Sequence, residues 1–284
     1  MSLEAHLQST AKLVHQSLRA WFPTGVPSRL SRSMRYSLFS KGKCLRPVLA
    51  ITVSDAMGGK RKNILPAACA LEMIHTYSLI HDDLPSMDDD DMRRGKPSNH
   101  RAFDEETAIL AGDALQTAAF EILLEKTPDR KLAGDLALVL SKAAGAQGMV
   151  GGQILDLQKN ARVEEIHEKK TGALLCAATK MGALAAGAKP AQQRALEKYG
   201  RSIGLAFQIM DDILDRSSTT QVLGKTPGKD AQQGKKTFPA KFGLPESRKR
   251  ALSQVQAAKK AVRFLGERGN RLCDIADWII SRTH

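Results

Sequence analysis

Residues 104–126 read "DEETAILAGDALQTAAFEILLEK". Good helix formers fill the stretch, and its apolar residues recur three and four positions apart, the spacing of a helical face. The same pattern returns in "GDLALVLSKAAGAQGM" (134–149), "IHEKKTGALLCAATKMGALAAGA" (166–188), "QQRALEKYGRSIGLAFQIMDDILD" (192–215) and "ESRKRALSQVQAAKKAVRFLGERG" (246–269). Gly and Pro punctuate the gaps, as in "WFPTGVPS", "MGGKRKNILP", "KTPDR" and "LGKTPGKDAQQGKKTFPAKFGLP". No segment alternates with period two for long. Several helices are apolar nearly all round, which fits the interior of a large bundle. No repeat or linker is evident, so residues 1–284 are expected to form one all-α domain.

Composition agrees. Apolar residues make up 42% of the 284 and aromatics only 5%, which suits a core of Ala, Leu, Ile and Met rather than a β-rich one. The start, "MSLEAHLQSTAKLVHQSL", has no long apolar run and carries Glu4, so a secretory signal is not expected. No stretch approaches eighteen uninterrupted apolar residues, and no membrane span is expected. Cys44, Cys69, Cys176 and Cys273 are widely spaced, as reduced thiols of a cytoplasmic protein would be. The net charge of +13 is uneven: residues 223–272 hold thirteen Lys and Arg against three acids. That balance suits either an anionic partner or a solvated basic face.

Against this charge, "SLIHDDLPSMDDDDMRRGKPSNH" (78–100) concentrates six aspartates. Asp82 and Asp83 close the apolar helix "AACALEMIHTYSLIH", and Pro85 turns the chain. Carboxylates at a helix C-terminus sit at the wrong end of its dipole, which costs stability unless a cation compensates. Alone, the cluster reads as a solvated acidic loop. A second cluster changes that reading. In "FQIMDDILD" (207–215), Asp211 and Asp215 share a helical face with Asp212 beside them, in an otherwise apolar run. Oxygen-only clusters suit Mg²⁺, which bridges carboxylates to substrate phosphates. Arg93 and Arg94, Lys43 and Arg46, Lys169 and Lys170, and Lys225, Lys229, Lys235 and Lys236 supply cations for a polyanion.

At this point the chain resembles the trans-isoprenyl diphosphate synthases of the farnesyl and geranylgeranyl type. "GKCLRP", "DDLPSMD", "RRGKPSNH", "GGQILDL", "KTGAL", "FQIMDD", "DDILD" and "GKTPGKD" occur in that family's order, from about Lys41 to Gly243. The resemblance implies a helical bundle around a deep central cavity, usually a homodimer. It also implies head-to-tail condensation: an allylic diphosphate, dimethylallyl or geranyl, ionises, the double bond of isopentenyl diphosphate attacks, and a proton is lost, by implication to the leaving diphosphate. Carried over, Asp82, Asp83, Asp88, Asp211, Asp212 and Asp215 would hold several Mg²⁺ ions. Arg93, Lys170 and Lys225 would contact the allylic diphosphate, with Lys235 a further contact. Lys43, Arg46, His75 and Arg94 would bind isopentenyl diphosphate. Thr171 and Gln208 would sit beside the reacting carbons. His75 lies seven residues before Asp82 and shares its face; its competing reading is a buried core histidine.

Cys44 departs from the pattern, which usually has a basic residue there, and Lys241 stands where such sequences are commonly apolar. For chain length, Ser78 shares the face of Asp82, whereas Tyr77 is rotated by roughly 140° from it. Helix geometry alone does not make Tyr77 a floor. An aromatic residue there, with the longer first motif, resembles the bacterial farnesyl type, and smaller residues accompany the geranylgeranyl type. Farnesyl diphosphate is therefore the expected main product, with geranylgeranyl diphosphate the alternative and Tyr77 as plain core the competing reading. A class I terpene cyclase is disfavoured because "DDILD" is all carboxylate and a cyclase needs no isopentenyl site. A non-catalytic prenyl synthase subunit is disfavoured because both aspartate motifs are present. Nucleic-acid binding is disfavoured because six acids would face the polyanion and no binding motif is recognisable.

Overall fold

The computed structural model describes residues 2–40, 42–158, 160–217 and 236–282. Lys225, Lys229 and Lys235 lie outside the described residues. The chain runs through α1 (Leu3–Ala20), α2 (Ser28–Leu38), α3 (Leu45–Ala56) and α4 (Arg61–Asp82). A two-stranded hairpin, β1 (Met92–Arg93) and β2 (Lys96–Pro97), precedes α5 (Asn99–Ala102), α6 (Glu105–Lys126), α7 (Arg130–Ala144), α8 (Met149–Asp156) and α9 (Val163–His167). Then come a π-helical turn (Glu168–Gly172), α10 (Ala173–Ala185), α11 (Pro190–Ser217), α12 (Phe238–Phe242), α13 (Leu244–Ala261), a 3₁₀ segment (Arg263–Gly269) and α14 (Asn270–Ser281). This is the all-α architecture expected.

Local chemistry starts the helices. Ser2 accepts from the Ala5 N–H, Asp104 from Thr107, Asp129 from Leu132 and Thr237 from Ala240, each satisfying an otherwise orphaned first-turn donor. The quoted stretch 104–126 is α6, with Asp104 as its cap. α6 has the length and apolar composition of a membrane-crossing helix. Here it packs along α4, burying Ala108, Ala111, Leu115, Ala119 and Leu123. Leu110 and Leu124 remain exposed on its other side, and Ile109 on its flank borders the cavity described below. α4 begins six residues before the expected stretch and runs through Pro66, near enough to its start that the missing donor costs one hydrogen bond.

One apolar cluster reaches from Val14 and Leu18 on α1, through Leu49 and Ile51 on α3 and Leu71 and Ile74 on α4, to Ile203 on α11 and Ile279 on α14. Each such aliphatic side chain contributes about 1.5–3 kcal/mol by leaving water. α3, α4, α10 and α11 form its middle, with α6, α7 and α13 packed outside.

Two local features were not expected. Arg94 (φ 55°) and Gly95 (φ 75°) form a two-residue turn with positive φ at both positions, the turn that suits strand twist in a hairpin. The segment 166–188, read as one helix, widens into a π turn at Glu168–Gly172. Such bulges re-aim side chains, and this one carries Lys170 and Thr171.

Candidate active site

The end of α4 builds the first acidic group. Past Asp82 the chain folds back on the helix: the Asp88 N–H donates to the Asp82 carbonyl at 2.8 Å, Asp89 to Leu84 at 3.1 Å and Asp90 to Asp83 at 3.2 Å. Four residues between the aspartate pair and Asp88 are thus the length of this fold-back. Asp82 and Asp88 both line a cavity of about 850 Å³. Asp83 does not. It is 2% exposed and accepts from the Arg93 guanidinium, Nε at 2.8 Å, while Nη2 of Arg93 also reaches Asp90 at 3.0 Å. Burial, and then the neighbouring carboxylates against the pull of nearby cations, pushes Asp82 up to about 6. Burial likewise pushes Asp83 up to about 6 despite Arg93.

α11 brings the second group to the same cavity: Asp211, Asp212, Asp215 and Gln208 all line it. Thr171 Oγ1 donates to Gln208 Oε1 at 2.6 Å, Gln208 Nε2 donates to Asp212 Oδ1 at 3.1 Å, and the Phe238 N–H donates to Asp212 Oδ2 at 2.9 Å. Gly204 permits this network, because a Cβ there would meet Gly172 Cα at 2.9 Å and push α11 off the π turn. His167, stacked on Phe238, lies 3.5 Å from Asp212, and burial holds its imidazole down to about 4. Lys170 Nζ donates to Asp156 Oδ2 at 2.7 Å, and Gly152 on α8 packs flush against the Lys170 backbone.

Arg46 and His75 line the cavity from α3 and α4, as do Tyr77, Ser78, Arg93, Lys170 and Thr171. Burial, then Arg46 and Arg94, holds His75 well below its ordinary value, so it is neutral near pH 7. Lys43 and Arg94 do not line the cavity but stand close behind it, Arg94 near enough to act on Arg46 and His75 and Lys43 within the field of Asp211. Lys43 Nζ lies 5.3 Å above the Trp278 ring, and Arg94 lines a small side pocket, donating to Ser40 Oγ at 3.2 Å. Cys44 is buried in a left-handed conformation, with its thiol 3.4 Å from His15 Nε2. Lys241 pairs with Glu164 at 2.8 Å, which accounts for a charge at that position.

Sequence reasoning assigned no role to Asp156, Glu72, His167 or Arg282. Asp156 was visible within "GGQILDL", and Glu72 as a lone acid in an apolar helix. Arg282 gave no local signal.

The donor set fits Mg²⁺: Asp82, Asp88, Asp211, Asp212 and Asp215 offer carboxylate oxygens to one cavity, and burial has raised the Asp82 carboxyl in a way that a cation would relieve. A tighter trio, Asp89, Asp91 and His100, lies outside the cavity.

The sequence profile of the family described as "Polyprenyl synthetase" matches residues 27–264. The chain is 43% identical over 294 residues to a geranylgeranyl diphosphate synthase of Cyanophora paradoxa, covering 100% of this chain and 97% of that one. It is 40% identical over 295 residues to a farnesyl diphosphate synthase of Geobacillus stearothermophilus, covering 100% and 99%. Among solved structures, an FPP/GFPP synthase from Zymomonas mobilis superposes with a TM-score of 0.86 at 35% identity, covering 98% of each chain.

Proposed function

This chain belongs to the polyprenyl synthetase family and is a prenyltransferase, and from that premise we propose that it condenses isopentenyl diphosphate with dimethylallyl or geranyl diphosphate to give mainly farnesyl diphosphate. One observation carries the reading: a single cavity is walled by both acidic groups and also by Arg46 and His75, two families of contacts for two diphosphates.

Asp82, Asp88, Asp211 and Asp215 face the metal site, with Asp212 held by Gln208 and Phe238 beside them. Mg²⁺ bound there would supply charge neutralisation for the departing diphosphate. Arg93 and Lys170 grip that diphosphate, positioned by Asp83 and Asp156 respectively. Lys225 and Lys235 are read as further contacts from outside the described residues. Heterolysis of the allylic C–O bond sends its electron pair away with the diphosphate. The Thr171 and Gln208 oxygens, locked together at 2.6 Å, face the positive charge left on carbon. The π electrons of isopentenyl diphosphate, held by Arg46 and His75 with Lys43 and Arg94 nearby, form the new C–C bond. The proton then lost returns to the released diphosphate. Closing the cavity to water protects the cation.

Tyr77 on the cavity wall supports the fifteen-carbon product. The identity to a geranylgeranyl diphosphate synthase favours the second reading, a twenty-carbon product. The exposed Leu110 and Leu124 of α6 suit a second copy of this chain and support a homodimer. Four free cysteines suit a reducing, cytoplasmic compartment, and we read residues 1–284 as one catalytic domain. The test is incubation with labelled isopentenyl diphosphate and each allylic primer, with and without Mg²⁺, followed by product sizing. No elongation with any primer would refute the proposal.

A further inference from the structure

Glu72 lies in the interior of α4, 1% exposed, among Leu71, Met73 and Ile74. No nitrogen or oxygen donor among the described residues hydrogen-bonds its carboxylate, and the buried Cys44 thiol is its one weak side-chain partner there. A buried carboxylate in that condition is costly unless charges compensate it. Two guanidinium groups do so. Arg94 Nη2 is 3.6 Å from Glu72 Oε1. Arg46, whose Nε also lacks a hydrogen-bond partner among the described residues, is pushed down to about 10 by burial, and Glu72 is the largest charge opposing that push.

Glu72 is therefore a fixed anion within ion-pair reach of Arg94, with Arg46 inside its field. Arg94 is held there by Ser40 and by Gly42, where an added Cβ would meet the Arg94 Cζ at 2.8 Å. His75, one turn along α4, and His15 and Cys44 on the far side are kept neutral by burial and add no charge. Arg46 and His75 face the cavity, whereas Glu72 does not line it. A glutamine would fill the same volume without charge, so packing alone does not call for a carboxylate.

We propose that Glu72 is a built-in stand-in for substrate diphosphate: it neutralises Arg46 and Arg94 while the site is empty and weakens their grip on isopentenyl diphosphate when it is full. This rests on the reading of the site given above. The carboxylate cannot leave, so an incoming diphosphate shares the two arginines with it and is repelled by it. The condensation product keeps the diphosphate that isopentenyl diphosphate brought in. Loosening that grip therefore speeds product release. Glu72 acts through the arginines and touches no substrate.

A merely structural Glu72 predicts something different, because its loss would then lower stability and affinity together. The stand-in predicts lower stability without ligand but tighter binding. The test is calorimetric titration of Glu72→Gln and wild type with isopentenyl diphosphate, alongside steady-state kinetics. For the variant, Kd should fall about ten-fold, equivalent to about 1.4 kcal/mol. Its KM for isopentenyl diphosphate and its kcat should both fall, while KM for the allylic substrate stays within about two-fold. A folded variant with unchanged or weaker binding overturns the proposal. If the variant does not fold in buffer, millimolar isopentenyl diphosphate should restore folding, and failure to do so overturns it equally. A wild type that neither binds isopentenyl diphosphate nor elongates would sink the functional reading itself. An active wild type with a variant that does not tighten sinks only this inference.

Discussion

Arg282, past the end of the last helix, reaches back across the bundle to Asp211, with its Nη2 donating to Asp211 Oδ1 at 2.6 Å and to the Phe207 carbonyl at 2.7 Å. Its guanidinium stacks 3.9 Å from the centre of the Phe207 ring and is 6% exposed, whereas the Asp211 side chain is 41% exposed. A protein cation thus already occupies one oxygen of a proposed metal ligand. Arg282→Ala should bind Mg²⁺ more tightly in the absence of substrate. Solvent screening on the exposed Asp211 side holds the gain to about three- to ten-fold, roughly 0.7–1.4 kcal/mol. Calorimetric Mg²⁺ titration checks this, and Trp278, whose carbonyl accepts from the Arg282 N–H at 3.0 Å, offers a fluorescence readout. Weaker binding would mean that Arg282 orients Asp211 instead of competing for it.

The crowded carboxylates make a second prediction. Asp82→Asn should lower turnover by about two orders of magnitude or more, because a ligand oxygen and its charge are lost where charge develops. The metal-free variant should be as stable as wild type or more so, since a buried carboxyl and its repulsion from Asp88 are relieved. Thermal melts with and without Mg²⁺, run beside the activity assay, check both halves. A variant with normal turnover and normal Mg²⁺ dependence would remove Asp82 from the metal site.

These contacts show what a sequence can carry. Asp211, Asp212 and Asp215 were readable because helical spacing dictates which residues share a face, and α11 is an unbroken helix there. Arg93 was readable as a cation but not as the partner of Asp83, since that pairing depends on the fold-back of residues 83–91 and on the Arg94–Gly95 turn. The π turn at Glu168–Gly172 left no periodic signature, because the helix that follows it is buried nearly all round and has no single apolar stripe whose shift could be seen. The contact between Arg282 and Asp211 spans 71 positions and is set by how α14 packs on α11, which no local pattern encodes.

Alkaline stability should report on Tyr199. This side chain is fully buried on α11 and donates to the Leu272 carbonyl at 2.7 Å, tying α11 to α14. Burial raises its phenol well above the ordinary value. The unfolded chain releases this proton near pH 10, while the folded chain keeps it. The folded state then binds more protons, so stability is complete below about pH 10 and falls as pH rises, by up to about 1.4 kcal/mol per pH unit for one group. Tyr77, pushed up to about 12 by burial, acts in the same direction. Tyr199→Phe should lose about 0.5–1.5 kcal/mol near neutrality, from the lost hydrogen bond, and should show a shallower alkaline decline. Urea unfolding between about pH 8 and 11 measures both. An alkaline slope identical to wild type would remove Tyr199 as its source.

Chain length turns on Tyr77. Its side chain is 5% exposed, and it borders the cavity together with Ser78, although helix geometry turns it well away from Asp82. The wall behind it is stiff. The Tyr77 ring meets His81 edge-on at 5.8 Å, and His81 Nε2 lies 3.0 Å from the Ile109 carbonyl, bridging α4 to α6. Gly112 leaves room for the His81 ring that any side chain would fill. A growing chain that reaches Tyr77 therefore meets a ring with no easy way to yield. Tyr77→Ala should open the pocket and move the main product from fifteen carbons to twenty or longer, at a cost of about 3 kcal/mol for the cavity left behind. The Tyr77 hydroxyl is buried without a hydrogen-bond partner among the described residues. Tyr77→Phe should accordingly keep the fifteen-carbon product, with stability equal or higher. Chromatography of the dephosphorylated products from the three proteins decides the matter. A wild type that makes mainly the twenty-carbon alcohol, or a Tyr77→Ala profile that matches wild type, would show that the floor lies elsewhere on the wall.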